Sequence, residues 1–330
     1  MPASNLTRSW AVNPILEPGV DFHRESTPGK KGITLSRFHV LTRGSQTRAG
    51  LFFLAPSVAI LTLFVVVPIV RSAWMSLHDW SYLKKNQEFI GLANFIELTA
   101  DSRFWNALTN TAIFSAVTVP AQVILGLLLA MKFSRSTRFN AFVRSVYFFP
   151  VISAFATMAI VWKFVLSPEI GPFAGWAKAL EVPVVSVLQS TELALPAIIV
   201  VGLWKNVGFT MVILLAALQD VSEELNEAAA LDGAGPWLRF RHVSLPSIRQ
   251  PLLFATIMAV IASLQVFDQV YVMTGGGPLF HTETLVTYIY QMGFQRYRSG
   301  YASAVAWILF LLIMVVSAIQ LRLFRYRDVD

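Results

Sequence analysis

Apolar and polar residues alternate along the chain in long blocks. Six apolar runs are each long enough to cross a hydrocarbon core, which takes about 20 helical residues. They cover about 49–72, 106–131, 144–166, 193–218, 251–273 and 300–322. Arg48 and Arg71 bound the first, Arg103 and Lys132 the second, and Arg298 and Arg322 the last. The pattern predicts an all-α membrane protein with six transmembrane helices. The polar stretches at Leu77–Phe104 and Ser167–Glu192 read as loops, the second with a short helix around Phe173–Leu180. Residues 1–48 hold Pro, Gly, Ser and basic residues without a sustained period and are expected to form a flexible tail.

One polar stretch is longer and better ordered in its signals. Between the fourth and fifth runs, residues 220–250 include "EELNEAAALDGAGPWLRFRHVSLP". Ser222 suits an N-cap, with Glu223 and Glu224 in the first turn, where the helix dipole favours acids. Asp232-Gly233 is a stop, because glycine reaches the left-handed conformation that ends a helix. Pro236 suits the first turn of a second short helix, expected to close at Leu245-Pro246. This pair of helices is too polar and too short to span. It is either a solvated connector or a docking surface. Ala228, Ala229 and Ala230 leave a small-residue face open to close approach, and Glu227 gives that face a charge.

Composition supports the membrane reading. Only 14% of the 330 residues are charged and 55% are hydrophobic, whereas soluble domains carry about 25% charged residues. Cysteine is absent, which excludes disulfides and Cys-based metal or nucleophile chemistry. The net charge of +7 matters less than its distribution. Seventeen Lys and Arg fall in the tails, the 132–144 loop and the 220–250 loop, against six in the other loops. The positive-inside rule therefore places both termini and the 220–250 loop in the cytoplasm. The first apolar run starts too late, and is too long, for a signal peptide.

These residues carry a specific resemblance. "EAAALDGAGPWLRFRHVSLP" resembles the EAA loop of ABC importer permeases, matching at Glu227, Ala228, Ala229, Asp232, Gly233, Ala234, Leu245 and Pro246. "NVGFTMVILLAALQ", "FDQVYVMTGGGP" and "GYASAVAWILF" are similar to the carbohydrate branch of that family, of the maltose and glycerol-3-phosphate type. The resemblance implies a type I importer permease fold, in which the loop is a coupling helix seated in a cleft of a cytoplasmic ATPase subunit. It implies four further kinds of component: a second homologous permease, two ATPase subunits, an extracytoplasmic solute-binding protein and a sugar or sugar-like solute. ATP and Mg would belong to the ATPase subunits, leaving this chain without a cofactor.

The chain's own motifs agree with a subunit that performs no catalysis. No G-x-x-x-x-G-K-[ST] occurs, and "TGGGP" at Thr274–Pro278 reads as a tight turn. The five histidines are scattered, without H-E-x-x-H, and G-x-S-x-G is missing. No catalytic or metal-binding residue is assigned, and an intramembrane hydrolase is poorly supported.

Ionisable and polar groups inside spans are costly and mark candidate sites. Trp204, Lys205, Asn206 and Phe209 lie near the middle of the fourth run, an aromatic and donor set suited to a sugar. Lys205 alternatively suits a phosphorylated or acidic substrate. In the maltose-type permease the same stretch contributes substrate contacts, and Trp204 and Phe209 align with an aromatic there. Gln265 and Asp268 are expected one helical turn apart on the fifth run, facing one direction. They serve either the substrate path or interhelical hydrogen bonding, and Asp268 is a possible ion partner for Lys205. Arg71 and Lys163 are expected to snorkel from the ends of their spans. A secondary carrier, proton-coupled through Asp268 and Lys205, is the alternative reading.

Overall fold

The computed structural model describes residues 42–325. The expected tail over residues 1–48 lies almost wholly outside them. The chain divides into two compact units, Met1–Leu61 and Thr62–Asp330. Within the first, the described element is helix α1 (Thr42–Leu61), which contains Pro56.

Among the described residues, the regular structure of the second unit is helical apart from a two-residue antiparallel pair, β1 (His78–Asp79) and β2 (Glu88–Phe89). It opens with a π-helical turn (Thr62–Val66) that leads into α2 (Val67–Ser76), followed by α3 (Ala93–Ala100) and α4 (Ser102–Lys132). Next come α5 (Arg138–Ile152), α6 (Phe155–Val165), α7 (Pro172–Ala179) and α8 (Ala194–Gln219). The loop helices are α9 (Glu223–Leu231), α10 (Pro236–Arg239) and α11 (Leu245–Ser247). The chain closes with α12 (Arg249–Leu264), α13 (Asp268–Met273), α14 (Leu285–Tyr290) and α15 (Ser299–Arg325). Short α7 matches the helix expected near Phe173.

Among the described residues, five helical stretches are long and apolar enough to span: Phe52–Ser76, Ser102–Lys132, Ala194–Gln219, Arg249–Met273 and Ser299–Phe324. The sixth expected span is not one straight helix. It is α5 and α6, bent by 101° across Ser153 and Ala154. Pro150 lies within the last turn of α5, and both linking residues are extended. The expected continuous span over 144–166 is thereby corrected.

The helices pack with polarity reversed relative to a soluble protein. On α4, Ile113, Val117, Ile124, Leu125 and Leu128 reach the surface, while Asn110, Thr111, Thr118 and Gln122 are buried. Apolar surface costs nothing toward lipid, whereas polar groups need partners inside the bundle. Gln122 Nε2 accordingly donates to Thr210 Oγ1 of α8 at 2.9 Å. Helix α5 approaches α8 so closely at Gly208 that an added Cβ would lie 2.1 Å from the Tyr147 carbonyl oxygen.

One end of the bundle is closed by a saturated polar cluster. Arg103, at the start of α4, forms a bidentate pair with Glu283 at 2.8 and 2.6 Å. The Glu283 side chain is wholly buried. The Arg103 guanidinium also bonds Gln291 and lies 3.9 Å from the Phe280 ring centre. Asn110 Nδ2 donates to the carbonyls of Phe280 and Glu283 at 3.1 and 3.0 Å. Beside it, the hydroxyls of Tyr288 and Tyr301 both donate to Asp101, the latter at 2.6 Å. Burial raises the Glu283 carboxyl above its ordinary pKa, with Arg103 opposing that shift. At Asp101 burial acts in the same upward direction. The hydrogen bonds from Tyr288, Tyr301 and two backbone amides outweigh it and hold the group below its ordinary value. The tight turn expected at "TGGGP" forms the entry to this cluster, with Gly277 N bonded to the Thr274 carbonyl at 3.1 Å.

Candidate functional site

The fifth span also breaks. Helix α12 ends at Leu264, Gln265 to Phe267 leave the helical path, and α13 starts at Asp268. Gln265 and Asp268 are therefore not one turn apart on a single helix, as the spacing suggested. The break still brings them to one place, because both line a cavity of about 230 Å³. Asn206 of α8 lines the same cavity, together with Thr118 and Gln122 of α4 and Gln269 of α13. Phe114, Phe155 and Phe267 supply aromatic surface. Phe155 is the first residue after the break in the third span, so two broken spans meet at this cavity. Irregular backbone at membrane depth is tolerated where it lines such a cavity or is buried in protein.

Lys205 does not line the cavity. It is 4% exposed, and its ammonium donates to the carbonyls of Pro150, Val151 and Ser153 at 2.9, 3.3 and 2.8 Å. It also sits 4.5 Å from the centre of the Phe155 ring. All three ammonium donors are thus spent on the carbonyls released where α5 stops, the end of a helix that favours a cation. Lys205 and Asp268 form no ion pair. Trp204 packs edge-on against Trp162, with ring centres 5.5 Å apart. Trp204 and Phe209 both lie outside the cavity lining. Of the sequence candidates, the structure gathers Asn206, Gln265 and Asp268.

The 220–250 segment forms the expected helix pair. Ser222 Oγ accepts from Leu225 N at 3.4 Å, capping α9. Its other end closes with Gly233 N on the Ala230 carbonyl at 3.1 Å and Ala234 N on the Ala229 carbonyl at 2.9 Å. These bonds form the Schellman arrangement, which requires the positive φ of +84° at Gly233. Gly235 then precedes Pro236 at the start of α10. Leu245-Pro246 does not close the second helix. A π-helical turn over Phe240–Ser244 carries the chain into α11, which ends at Ser247. The wider turn accommodates a proline that has no N–H to donate. Glu227, Ala228, Asp232, Gly233 and Pro246 are exposed, while Ala229, Ala234 and Leu245 are partly covered.

Residues 122–327 match the family described as "Binding-protein-dependent transport system inner membrane component". The chain belongs to this family. The permease is 32% identical over 277 residues to the probable ABC transporter permease protein YurN of Bacillus subtilis, covering 83% of this chain and 94% of that one. It is 31% identical over 274 residues to the multiple sugar-binding transport system permease protein MsmF of Streptococcus mutans, covering 83% and 94%. The lactose transport system permease protein LacF of Rhizobium radiobacter is 33% identical over 287 residues, covering 82% and 92%. The fold matches a chain in the crystal structure of a bacterial ABC transporter involved in the import of the acidic polysaccharide alginate. That match has a TM-score of 0.76 at 22% identity, covering 86% of this chain and 98% of that chain.

The permease is therefore a multi-pass membrane component of a binding-protein-dependent ABC importer, a transport subunit rather than an enzyme. This sets aside the secondary-carrier and hydrolase readings. Thr118, Gln122, Gln269 and Phe155 are cavity residues beyond the sequence candidates. Thr118 and Gln122 carried a usable signal: polar side chains four residues apart inside an apolar run share a helix face. Phe155 carried none, because its position depends on the break beside it.

Proposed function

We propose that the permease carries a sugar or sugar-like solute across the membrane, and that the cavity at the two broken spans is part of its path. The observation that carries this reading is the convergence of Asn206, Gln265 and Asp268 with three phenylalanines around one cavity. Amide and carboxylate groups bind hydroxyls while aromatic faces stack on sugar rings. MsmF and LacF, named for sugar and lactose transport, support the class. Trp204 and Phe209 would contact the solute outside this cavity, on the way to or from it.

In this reading a second homologous permease completes the path, two ATPase subunits bind ATP and Mg, and an extracytoplasmic solute-binding protein delivers the solute. The α9–α10 hairpin docks the ATPase through Glu227, Ala228, Ala229, Asp232, Gly233 and Ala234, with Leu245 and Pro246 anchoring its far end. Both termini and the hairpin are cytoplasmic in this reading, which the charge distribution supports.

The test is uptake by the reconstituted importer. Glu227→Lys and Gly233→Leu are expected to leave the permease inserted but to lose the ATPase subunit and solute uptake together. Normal co-purification and normal uptake from both would refute the docking assignment. Because the chain lacks cysteine, single cysteines at Lys178 and Arg239 report sidedness. Labelling of position 239 from outside intact cells would reverse the topology.

A further inference from the structure

We infer that the cavity discriminates by charge, admitting neutral hydroxyl-rich solutes and disfavouring anions, with Asp268 as the residue that sets this preference. The inference rests on the proposed path and adds the chemical class of its cargo. A lysine in the fourth span suggests an anionic solute only if its charge faces the path. Lys205 instead donates to three backbone carbonyls and is 4% exposed. Its three donors are committed to the end of α5; its charge is held behind the wall, where it acts on Asp268 without facing the path.

What remains on the cavity wall is one-sided. Among the described residues lining it, Asp268 is the only charged one. Among the described residues its carboxylate has no hydrogen-bond or ion-pair partner, and the residue is exposed. Asn206 and Gln265 offer both donors and acceptors, which match hydroxyls equally well as either partner. Thr118 and Gln269 belong to the same lining, and the Thr118 hydroxyl and the Gln269 carbonyl oxygen also lack partners among the described residues. A carboxylate on the cavity wall repels a sugar acid and accepts from a hydroxyl.

The cysteine-free chain permits a direct test in membranes holding the assembled importer. Ala262 lines the cavity and is exposed, so Ala262→Cys places one thiol there. Its modification is timed with cationic, neutral and anionic methanethiosulfonate reagents of similar size. After correction for intrinsic reactivity, the cationic reagent is expected to react about tenfold faster than the anionic one or more. Adding Asp268→Asn should collapse that ratio toward one. Maltose should slow modification by the neutral reagent, and glucuronate should not. A corrected ratio near one without the Asp268 change overturns the proposal. So does equal protection by maltose and glucuronate, or protection by neither. Failure of the transport reading appears separately, as absent binding-protein-dependent uptake in proteoliposomes whose thiol still shows charge selectivity.

Discussion

Two regions hold carboxylates inside this apolar chain, and they treat them in opposite ways. At the end of the bundle, Glu283 is fully buried yet receives two bonds from Arg103, and Asp101 receives two tyrosine hydroxyls. In the cavity, Asp268 is exposed and unpartnered at the first turn of α13. Saturation locks the cluster's geometry and leaves nothing to bind a ligand. An open carboxylate contributes little to folding and is available to a solute. Polarity inside a membrane protein therefore signals function only where its bonds are left unmade.

The comparison breaks most visibly at Arg103. Arg103→Met leaves Glu283 buried without its cation, a loss expected to cost about 3–5 kcal/mol. Without Arg103 the carboxyl's pKa rises further above its ordinary value. A raised folded pKa gives stability that is present below the unfolded value and lost as pH rises through the folded one. The variant should thus melt at a higher temperature in acid than at neutral pH, and adding Glu283→Gln should recover most of the loss at neutral pH. Thermal melts of the solubilised importer across pH check both points. No acid recovery would mean that Glu283 is not the source of the loss.

Lys205 tests the next level. Lys205→Met removes the donors from the α5 end, and a carbonyl left unsatisfied is expected to cost about 1–3 kcal/mol. Uptake of neutral and acidic solutes should fall alike, because the defect lies in the bend and not in the cargo. Selective loss of an acidic solute would return Lys205 to the path. Smaller still is the Arg298–Glu97 pair at 2.6 Å, whose side chains are 46% and 49% exposed. Solvent screens it, so Arg298→Gln should cost about 0–1 kcal/mol, measured by the same melts. The smallest stability effect belongs to Asp268→Asn, which should leave the melting temperature unchanged while lowering solute uptake. A lowered melting temperature would place Asp268 with the saturated cluster after all.

Much of this was legible in the sequence because membrane spans and helix caps leave local signals. The ends of α9 were readable from Ser222 and Asp232-Gly233, since capping involves residues within one turn. The break between α5 and α6 was not, although Pro150 and Ser153 stood in the run. A proline can kink a span or pass through it, and which occurs depends on what satisfies the freed carbonyls. That partner, Lys205, lies on another helix. The same distance explains why Lys205 looked like a site residue: its cost in the membrane is local, and its compensation is not. Arg103 and Glu283 were equally opaque, being paired across most of the chain.

The two ends of α9 have one more consequence. Ser222 closes the first, and the Gly233 and Ala234 amides close the second, all from within the loop. The ends of α9 are set by its own loop, before any neighbour arrives. An associating surface would then meet a helix already formed, so less conformational entropy is lost on contact and more of the contact energy appears as affinity.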